Sequence, residues 1–168
     1  MKKASGQELQ GGNEIDKLRR VIPWLLVVVW MAFIFHLSHQ PATVSYNLST
    51  EVAETIVEVA EKVAPQAVFD LERINHMVRK NAHFLAYLAL GILVMNGLRS
   101  GEIVGYRAIA IALVICALYA ASDEVHQLLV PGRSGQISDA ILDSTGAAVG
   151  IWVYLGLTGI VRRAYNRS

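Results

Sequence analysis

Four apolar stretches of the chain each approach the length that a membrane-crossing helix requires. They cover about residues 21–37, 82–98, 104–121 and 140–161. A hydrocarbon core of about 30 Å needs roughly 20 residues of helix. Of the 168 residues, 54% are hydrophobic and 17% are charged. The sequence therefore predicts an all-α membrane protein, with a single bundle of four transmembrane helices within residues 21–161.

Glycines interrupt the last three of these stretches. They would be unfavourable in a soluble helix, but small residues are common where helices pack closely in lipid. Gly146 and Gly150 together form a GxxxG pattern. The pattern favours helix packing inside the bundle, and a face for dimer formation is the alternative.

The placement of Lys and Arg predicts the orientation of the bundle. Basic residues precede the first stretch, separate the second from the third and follow the fourth: Lys2, Lys3, Lys17, Arg19, Arg20, Arg99, Arg107, Arg162, Arg163 and Arg167. Such residues stay on the cytoplasmic side, so residues 1–20 and 162–168 are expected to be cytoplasmic tails. Residues 38–81 and 122–138 then connect the spans outside. A cleaved signal peptide is the alternative for the first stretch, although the cleavage pattern after it is poor.

The first outer connection contains an amphipathic pattern over about residues 50–64. Four apolar and four acidic residues recur there at helical spacing on separate faces: Val52, Ile56, Val59, Val63, Glu51, Glu54, Glu58 and Glu61. Thr50 is expected to cap this helix, and Pro65 to end it. Two interpretations stay open, a surface helix that covers the bundle and a lid over a site. A further periodic stretch, from Val68 to Val78, leads into the second span, and the two could form one helix.

Polar residues cluster at the predicted outer ends of all four spans. In chain order they are His36, Ser38, His39, Gln40, Arg79, Lys80, Asn81, His83, Tyr87, Ser122, Asp123, Glu124, His126, Gln127, Arg133, Asp139 and Asp143. A bundle that only fills lipid does not need them, because ionisable groups in a membrane are expensive and usually functional. Their position at one membrane surface predicts a site there.

These residues also have structural explanations. Arg79 and Lys80 could extend from a span end towards water, and an isolated histidine is often only a hydrogen-bonding partner within a bundle. The carboxylates are harder to explain, because each needs a cation such as Arg79, Lys80 or Arg133. The alternative is a polar network in which these charges neutralise one another and stabilise the bundle.

The types of polar residue limit the reactions and ligands that such a site could support. Carboxylates beside histidines can act as general acids and bases, and Arg or Lys can hold a phosphate or a carboxylate. A metal site shared by several helices is conceivable, but the sequence has no HExxH or paired CxxC pattern, so no metal or cofactor is predicted. It also lacks a glycine-rich nucleotide loop and a GxSxG elbow. The net charge of +1 indicates no nucleic-acid partner, and Cys116 is expected to be a packing residue.

Several ordered motifs in these segments resemble the VanZ-like membrane protein family. They are KNAHFLAYLALG at residues 80–91, SDEVHQ at 122–127, PGRSG at 131–135, and Asp139 with Gly146. The segment SHQP at 38–41 is similar to the family's short Ser-x-Gln signature. The resemblance extends over about residues 22–159. It departs at Asp143, where the family usually has Asn.

The resemblance implies a multi-pass protein of the bacterial plasma membrane with a role in the cell envelope. The family's namesake is associated with reduced susceptibility to teicoplanin, without the altered peptidoglycan terminus that defeats vancomycin. The implied partners are membrane lipids, together with a lipid-linked envelope precursor or a glycopeptide-related ligand.

The residues and the resemblance together give a first hypothesis, an enzyme that acts on a lipid-linked or head-group phosphate at the outer leaflet. Acid and base roles are expected for Asp123, Glu124, His126 and His83. Ligand contacts are expected from Lys80, Tyr87, Gln127, Arg133, Asp139, Ser38 and Gln40. The alternatives are a non-catalytic module that binds or transports an amphiphile, and a structural network that stabilises the bundle.

Overall fold

The chain folds into helices throughout the part that the computed structural model describes, residues 4–64, 66 and 68–165. The helices are α1 (Ala4–Ser38), α2 (Ala42–Val63), α3 (Leu71–Ser100), α4 (Gly105–Gln127) and α5 (Ile137–Tyr165), and these described residues form no strand. Side chains are described for residues 14–64, 66 and 68–160. The predictions for Lys2, Lys3, Pro65 and Arg167, and for the side chains of Arg162 and Arg163, lie outside the described residues.

Four of these helices are long and apolar enough to cross a membrane, and they confirm the predicted fold class. The qualifying segments are Glu14–Ser38, Leu71–Ser100, Gly105–Gln127 and Ile137–Ile160. Large apolar side chains remain exposed on their outer faces, as at Leu118 (67%) and Trp152 (70%). Such a surface suits lipid better than water, and the chain is a multi-pass membrane protein.

All four of these helices extend beyond the predicted spans, and the extensions of α3 and α4 bear on the site. The periodic stretch before the second span joins it in one continuous helix, because α3 begins at Leu71. There the Asp70 side chain accepts a hydrogen bond from the backbone N–H of Arg73 and caps the helix. At the end of the third span, α4 continues to Gln127. Asp123 and Gln127 therefore lie one helical turn apart on the same face.

The outer helix begins earlier than the sequence predicted. Its first residue is Ala42, so the expected cap at Thr50 is wrong. Pro41 precedes the helix with a φ of −53°, a value that already suits helical backbone. The Thr50 hydroxyl instead donates to the carbonyl of Tyr46, inside the helix. The predicted end is close to the observed one, at Val63.

The apolar stripe of α2 faces away from the bundle. Ile56, Val59 and Val63 are 45%, 57% and 82% exposed, whereas Ser49 and Ala53 are buried. The helix packs against α3 through small residues, and the large ones stay outside. It therefore does not cover the bundle with its apolar face, although its first turns lie beside the cavities described below.

Helix α3 is the centre of the bundle and packs most extensively against α5. The two helices approach so closely that a Cβ atom at Gly91 would collide with the backbone carbonyl of Ala147. A Cβ at Gly146 would likewise meet the carbonyl of Phe84, and one at Gly150 that of Leu88. The GxxxG pattern thus packs inside the bundle.

Two of the hydrogen bonds that hold helix α1 against the other spans involve its Trp30 side chain and its backbone. The indole nitrogen of Trp30 donates to the carbonyl of Ala86 on α3 at 2.9 Å. The hydroxyl of Tyr119 on α4 donates to the carbonyl of Met31 at 2.6 Å. The order of the helices then brings the end of α1, the start of α3, the end of α4 and the start of α5 together. We call this the polar end of the bundle.

The glycine contacts predict very different effects for one substitution at two positions of α5. Gly150→Val places a side chain against the backbone of α3 and should lower the free energy of unfolding by about 3 kcal/mol or prevent assembly. Gly156→Val meets nothing within 4 Å and should change it by less than about 0.5 kcal/mol. Thermal unfolding of the purified proteins in detergent, followed by tryptophan fluorescence, measures both. Equal unfolding temperatures would contradict this packing.

The distribution of Lys and Arg predicts that the polar end faces outwards, and single cysteines can test this orientation. In a Cys116→Ala background, Glu61→Cys lies on exposed α2 and Val104→Cys precedes α4 at the opposite end. A membrane-impermeant maleimide should label Glu61→Cys in intact bacterial spheroplasts, and Val104→Cys only after they are permeabilised. The reverse pattern would show that the polar end faces the cytoplasm.

Candidate functional site

A polar cavity of about 100 Å³ opens at the polar end of the bundle. Helices α3, α4 and α5 and the loop at residues 128–136 supply its walls, with Ala42 of α2 at its edge. The basic and histidine side chains that line it are His76, Arg79, Lys80, His83 and Arg133. The acidic ones are Glu124, Asp139 and Asp143. Residues far apart in the sequence are thus brought to one place, as the clustering at the span ends predicted.

Asp123 is held beside this cavity by hydrogen bonds to only one of its oxygens. The hydroxyl of Ser38 donates to Oδ2 at 2.8 Å, and the amide of Gln127 donates to the same oxygen at 3.2 Å. The carboxylate is 2% exposed. Its other oxygen, Oδ1, is buried without a hydrogen-bond partner among the described residues. The Ser38 bond links α1 to α4, and the two bonds together fix the orientation of Asp123.

Glu124 connects α4 to the loop that leads into α5. Its Oε2 accepts a hydrogen bond from the backbone N–H of Gln136 at 2.8 Å, and the Gln127 amide lies 3.3 Å from Oε1. The residue is 8% exposed. One carboxylate oxygen is therefore committed to holding the loop, while the residue still lines the cavity.

Arg133 spans the loop and the end of α1 through neutral acceptors. Its Nε and Nη2 donate to the carbonyls of Gln40 and Leu37 at 2.9 and 3.2 Å, and its Nη1 lies 3.3 Å from the Gln127 side-chain oxygen. Burial is the main cause that lowers the pKa of the Arg133 guanidinium, and the charge of nearby Arg79 lowers it further. The guanidinium nevertheless stays charged in any protein at neutral pH.

The positive charges of Arg79 and Arg133 have no ion-pair partner in the part of the chain that is described. Lys80 differs, because its ammonium group lies 2.8 Å from Asp139 and both side chains are about one-third exposed. The basic side chains of the cavity without an ion pair are thus the two arginines. Guanidinium groups of this kind are suited to phosphate and carboxylate ligands.

His83 and Asp143 lie deeper, on facing turns of α3 and α5. The distance from His83 Nδ1 to Asp143 Oδ2 is 3.5 Å. Asp143 is 1% exposed, and neither of its oxygens has a hydrogen-bond partner within the described residues. The hydroxyl of Tyr87, one turn further along α3, is likewise buried and without such a partner there.

Comparison with known protein families agrees with this architecture. The model of the VanZ/LLP1 family matches residues 23–161, which include most of the first span, the other three spans and the polar cavity. The chain belongs to the VanZ/LLP1 family. No curated protein and no solved structure shows significant similarity to it.

Membership of the VanZ/LLP1 family confirms the resemblance drawn from the motifs, but the structure separates some of the predicted site residues. His126 does not line the cavity. Its Nε2 lies 3.1 Å from Nδ1 of His39, and its ring centroid is 4.3 Å from that of Phe35. The side chain points towards α1, so an acid or base role at the cavity is not supported for it.

Other predicted residues have supporting positions. Tyr87 is fully buried in the core below the cavity, with its ring centroid 6.0 Å from that of Tyr119. Ser38 and Gln127 orient Asp123, and Gln40 contributes its backbone carbonyl to Arg133. His36 is exposed at the surface of α1. Of the residues predicted to have acid, base or ligand-contact roles, those that border the cavity itself are Lys80, His83, Glu124, Gln127, Arg133 and Asp139.

Asn75 is a buried residue near the site that the sequence analysis did not identify. It is 2% exposed, accepts a hydrogen bond from the Ser49 hydroxyl and donates to the hydroxyl of Thr50 and the carbonyl of Tyr46. These bonds fasten α2 to α3. The spacing of Asn75, Arg79, His83 and Tyr87 by four residues puts them on one helical face, and this pattern could have revealed it.

An apolar groove of about 210 Å³ adjoins the polar cavity between α1, α2 and α3. Its apolar walls are formed by Ile34, Leu37, Leu48, Val52, Val78 and Ala82. Arg79, His83 and Arg133 line both the groove and the polar cavity. A charged compartment and an apolar compartment therefore meet at the two arginines that have no ion-pair partner.

Proposed function

We propose that this VanZ/LLP1 protein binds the phosphate-bearing head group of an envelope lipid, or of a lipid-linked envelope precursor, at the outer face of the bacterial plasma membrane. The observation that carries the proposal is the position of Arg79 and Arg133. Both face the polar cavity, and neither forms an ion pair in the described structure. Charge-assisted hydrogen bonds to a phosphate would compensate both guanidinium groups.

The adjoining groove favours an amphiphile over a free anion. A ligand whose phosphate lies between Arg79 and Arg133 has an apolar surface immediately beside it, formed by α1, α2 and α3. Hydrocarbon placed there is removed from the polar surroundings of the head group. The exposed stripe on α2, at Ile56, Val59 and Val63, lies on the same helix that closes the groove. A lipid could therefore enter sideways from the bilayer.

In the first version of this proposal, the protein carries out acid and base chemistry on the bound head group. His83 and Glu124 both line the cavity with the arginines, and a histidine and a carboxylate can transfer protons to and from a phosphate ester and its attacking water. His126 is not part of this mechanism, because it contacts His39 instead.

Binding or transport without chemistry is a second candidate, and one observation favours it. Asp123 and Glu124 each use an oxygen to hold protein groups, Ser38 and Gln127 in one case and the Gln136 N–H in the other. Carboxylates held in this way are suited to shaping a site. Release of inorganic phosphate or of a shortened lipid from the purified protein would distinguish an enzyme from a binding module.

The proposal predicts selective binding of a polyisoprenyl phosphate over the corresponding polyisoprenol. Arg79→Gln removes one guanidinium that has no hydrogen bond to the rest of the described structure, so the fold should survive. We expect this variant to bind the phosphate roughly 10- to 100-fold more weakly, because a hydrogen bond to a charged group contributes about 1.5–3 kcal/mol. Arg107→Gln, at the opposite end of the bundle, is the matched control. Native mass spectrometry of the proteins in detergent measures both ligands.

Equal binding of the phosphate and the alcohol, or equal binding by Arg79→Gln and Arg107→Gln, would contradict the head-group assignment. A cellular arm tests the consequence implied by the family. In a bacterial host without its own relatives, the native protein should raise resistance to teicoplanin and not to vancomycin. Arg79→Gln and Glu124→Gln, at matched membrane levels, should lose this effect. No shift with well-inserted native protein would separate the chain from glycopeptide resistance and leave the lipid measurement to stand alone.

A further inference from the structure

Three potential metal ligands from three different helices converge beneath the polar cavity. His83 of α3, Asp123 of α4 and Asp143 of α5 each offer one ligand atom, and these atoms lie within 4.8 Å of one another. Both aspartates are at least 98% buried, at 2% and 1% exposure. We infer that these three side chains form a binding site for one divalent transition-metal cation such as Zn²⁺ or Mn²⁺.

The hydrogen bonding around the cluster is a second observation, independent of the residue types, that indicates a bound cation. Among the buried side-chain atoms without a hydrogen-bond partner in the described residues are Oδ1 of Asp123 and both carboxylate oxygens of Asp143. The hydroxyl of Tyr87 is another. Buried polar atoms are almost always paired, and an unpaired buried carboxylate is especially unfavourable. Their concentration at one point is explained if a cation binds there.

Asp123 has the hydrogen-bonding pattern of an oriented metal ligand. Ser38 and Gln127 both donate to Oδ2, at 2.8 and 3.2 Å. The free Oδ1 is left to coordinate. Groups that hold the far side of a ligand in this way fix its direction and support metal affinity.

The distances fit a small cation after little movement. Ligand atoms about 2.0–2.2 Å from Zn²⁺ are about 3.4 Å apart in a tetrahedral site. His83 Nδ1 and Asp143 Oδ2 already lie 3.5 Å apart. Rotation of the buried carboxylates would bring the remaining pairs, now within 4.8 Å, to that spacing.

Charge and ligand type select the class of cation. Two aspartates and one divalent cation give a neutral unit, which removes the charge that makes buried carboxylates costly in a membrane protein. An imidazole ligand favours zinc or iron and carboxylates suit manganese, whereas magnesium and calcium prefer oxygen atoms alone. His83 and Asp143 also line the polar cavity, so open coordination positions would face the site of the proposed phosphate.

The sequence predicts no metal site, because it contains no local metal-binding motif. The three ligands are 20 or more residues apart along the chain and come together only through the packing of α3, α4 and α5. The inference also stands without the proposed lipid ligand, because metal binding can be measured on the protein alone.

The test uses the full chain, purified in detergent without a histidine tag, stripped with chelator and titrated with Mn²⁺ or Zn²⁺. Native protein should bind one equivalent per chain by elemental analysis after dialysis. Asp143→Asn should weaken binding by at least roughly tenfold. Two controls should bind as the native protein does: Glu102→Gln, an exposed carboxylate paired with Arg20 away from the site, and His126→Gln, which removes the histidine pair with His39 as a competing site.

Several results would overturn the inference. One is binding of less than about a tenth of an equivalent by folded native protein. Another is metal binding by Asp143→Asn that equals that of the native protein. A third is loss of metal binding in His126→Gln, which would assign the ion to the surface histidines. If Asp143→Asn does not fold, pulsed electron paramagnetic resonance of Mn²⁺ bound to His126→Gln decides. A hyperfine coupling between Mn²⁺ and nitrogen that disappears when His83→Gln is added supports the site. If no such coupling is seen before His83 is changed, the site is excluded.

Discussion

Lipid offers no hydrogen bonds, so a polar group placed within a membrane bundle must find its partner inside the protein. At the polar end, most groups do. Arg133 bonds to the carbonyls of Leu37 and Gln40, and Glu124 accepts from the loop before α5. Among the buried side-chain atoms that the structure describes, the exceptions are confined to Asp123, Asp143 and Tyr87. Because the surrounding network is well satisfied, these exceptions mark the place where something other than protein is expected to complete the hydrogen bonding.

Helix α3 makes this arrangement possible. One face carries a residue with a separate task at every fourth position: Asn75 fastens α2, Arg79 and His83 line the cavity and the groove, and Tyr87 fills the core. At the next step, Gly91 lets the backbone of α5 come into contact. The glycine contact therefore sets the distance between α3 and α5, and that distance decides how near His83 lies to Asp143. The packing of the spans and the geometry of the site are consequences of the same contact.

Much of this architecture could be predicted from the sequence, because hydropathy and helical spacing are local properties. The four spans, their glycine packing and the clustering of polar residues at one end all follow from such patterns. The partners of each side chain could not be predicted in the same way. Arg133 was expected to neutralise a carboxylate, yet it bonds mainly to backbone carbonyls. His126 lies in the same motif as Asp123 and Glu124, but its position on the helix turns it towards His39. The predicted start of the outer helix at Thr50 is wrong, because the apolar residues of Ala42–Ser49 do not recur at a clear helical spacing.

The central claim is that the buried polar cluster is built for a ligand and not for stability, and Asp143→Asn tests this most directly. In the presence of a chelator, the amide removes a buried charge and can donate a hydrogen bond to a neighbouring oxygen. The free energy of unfolding in detergent should then rise by about 1–3 kcal/mol relative to the native protein. A decrease of similar size would show instead that Asp143 belongs to a network that stabilises the bundle, and it would contradict the account.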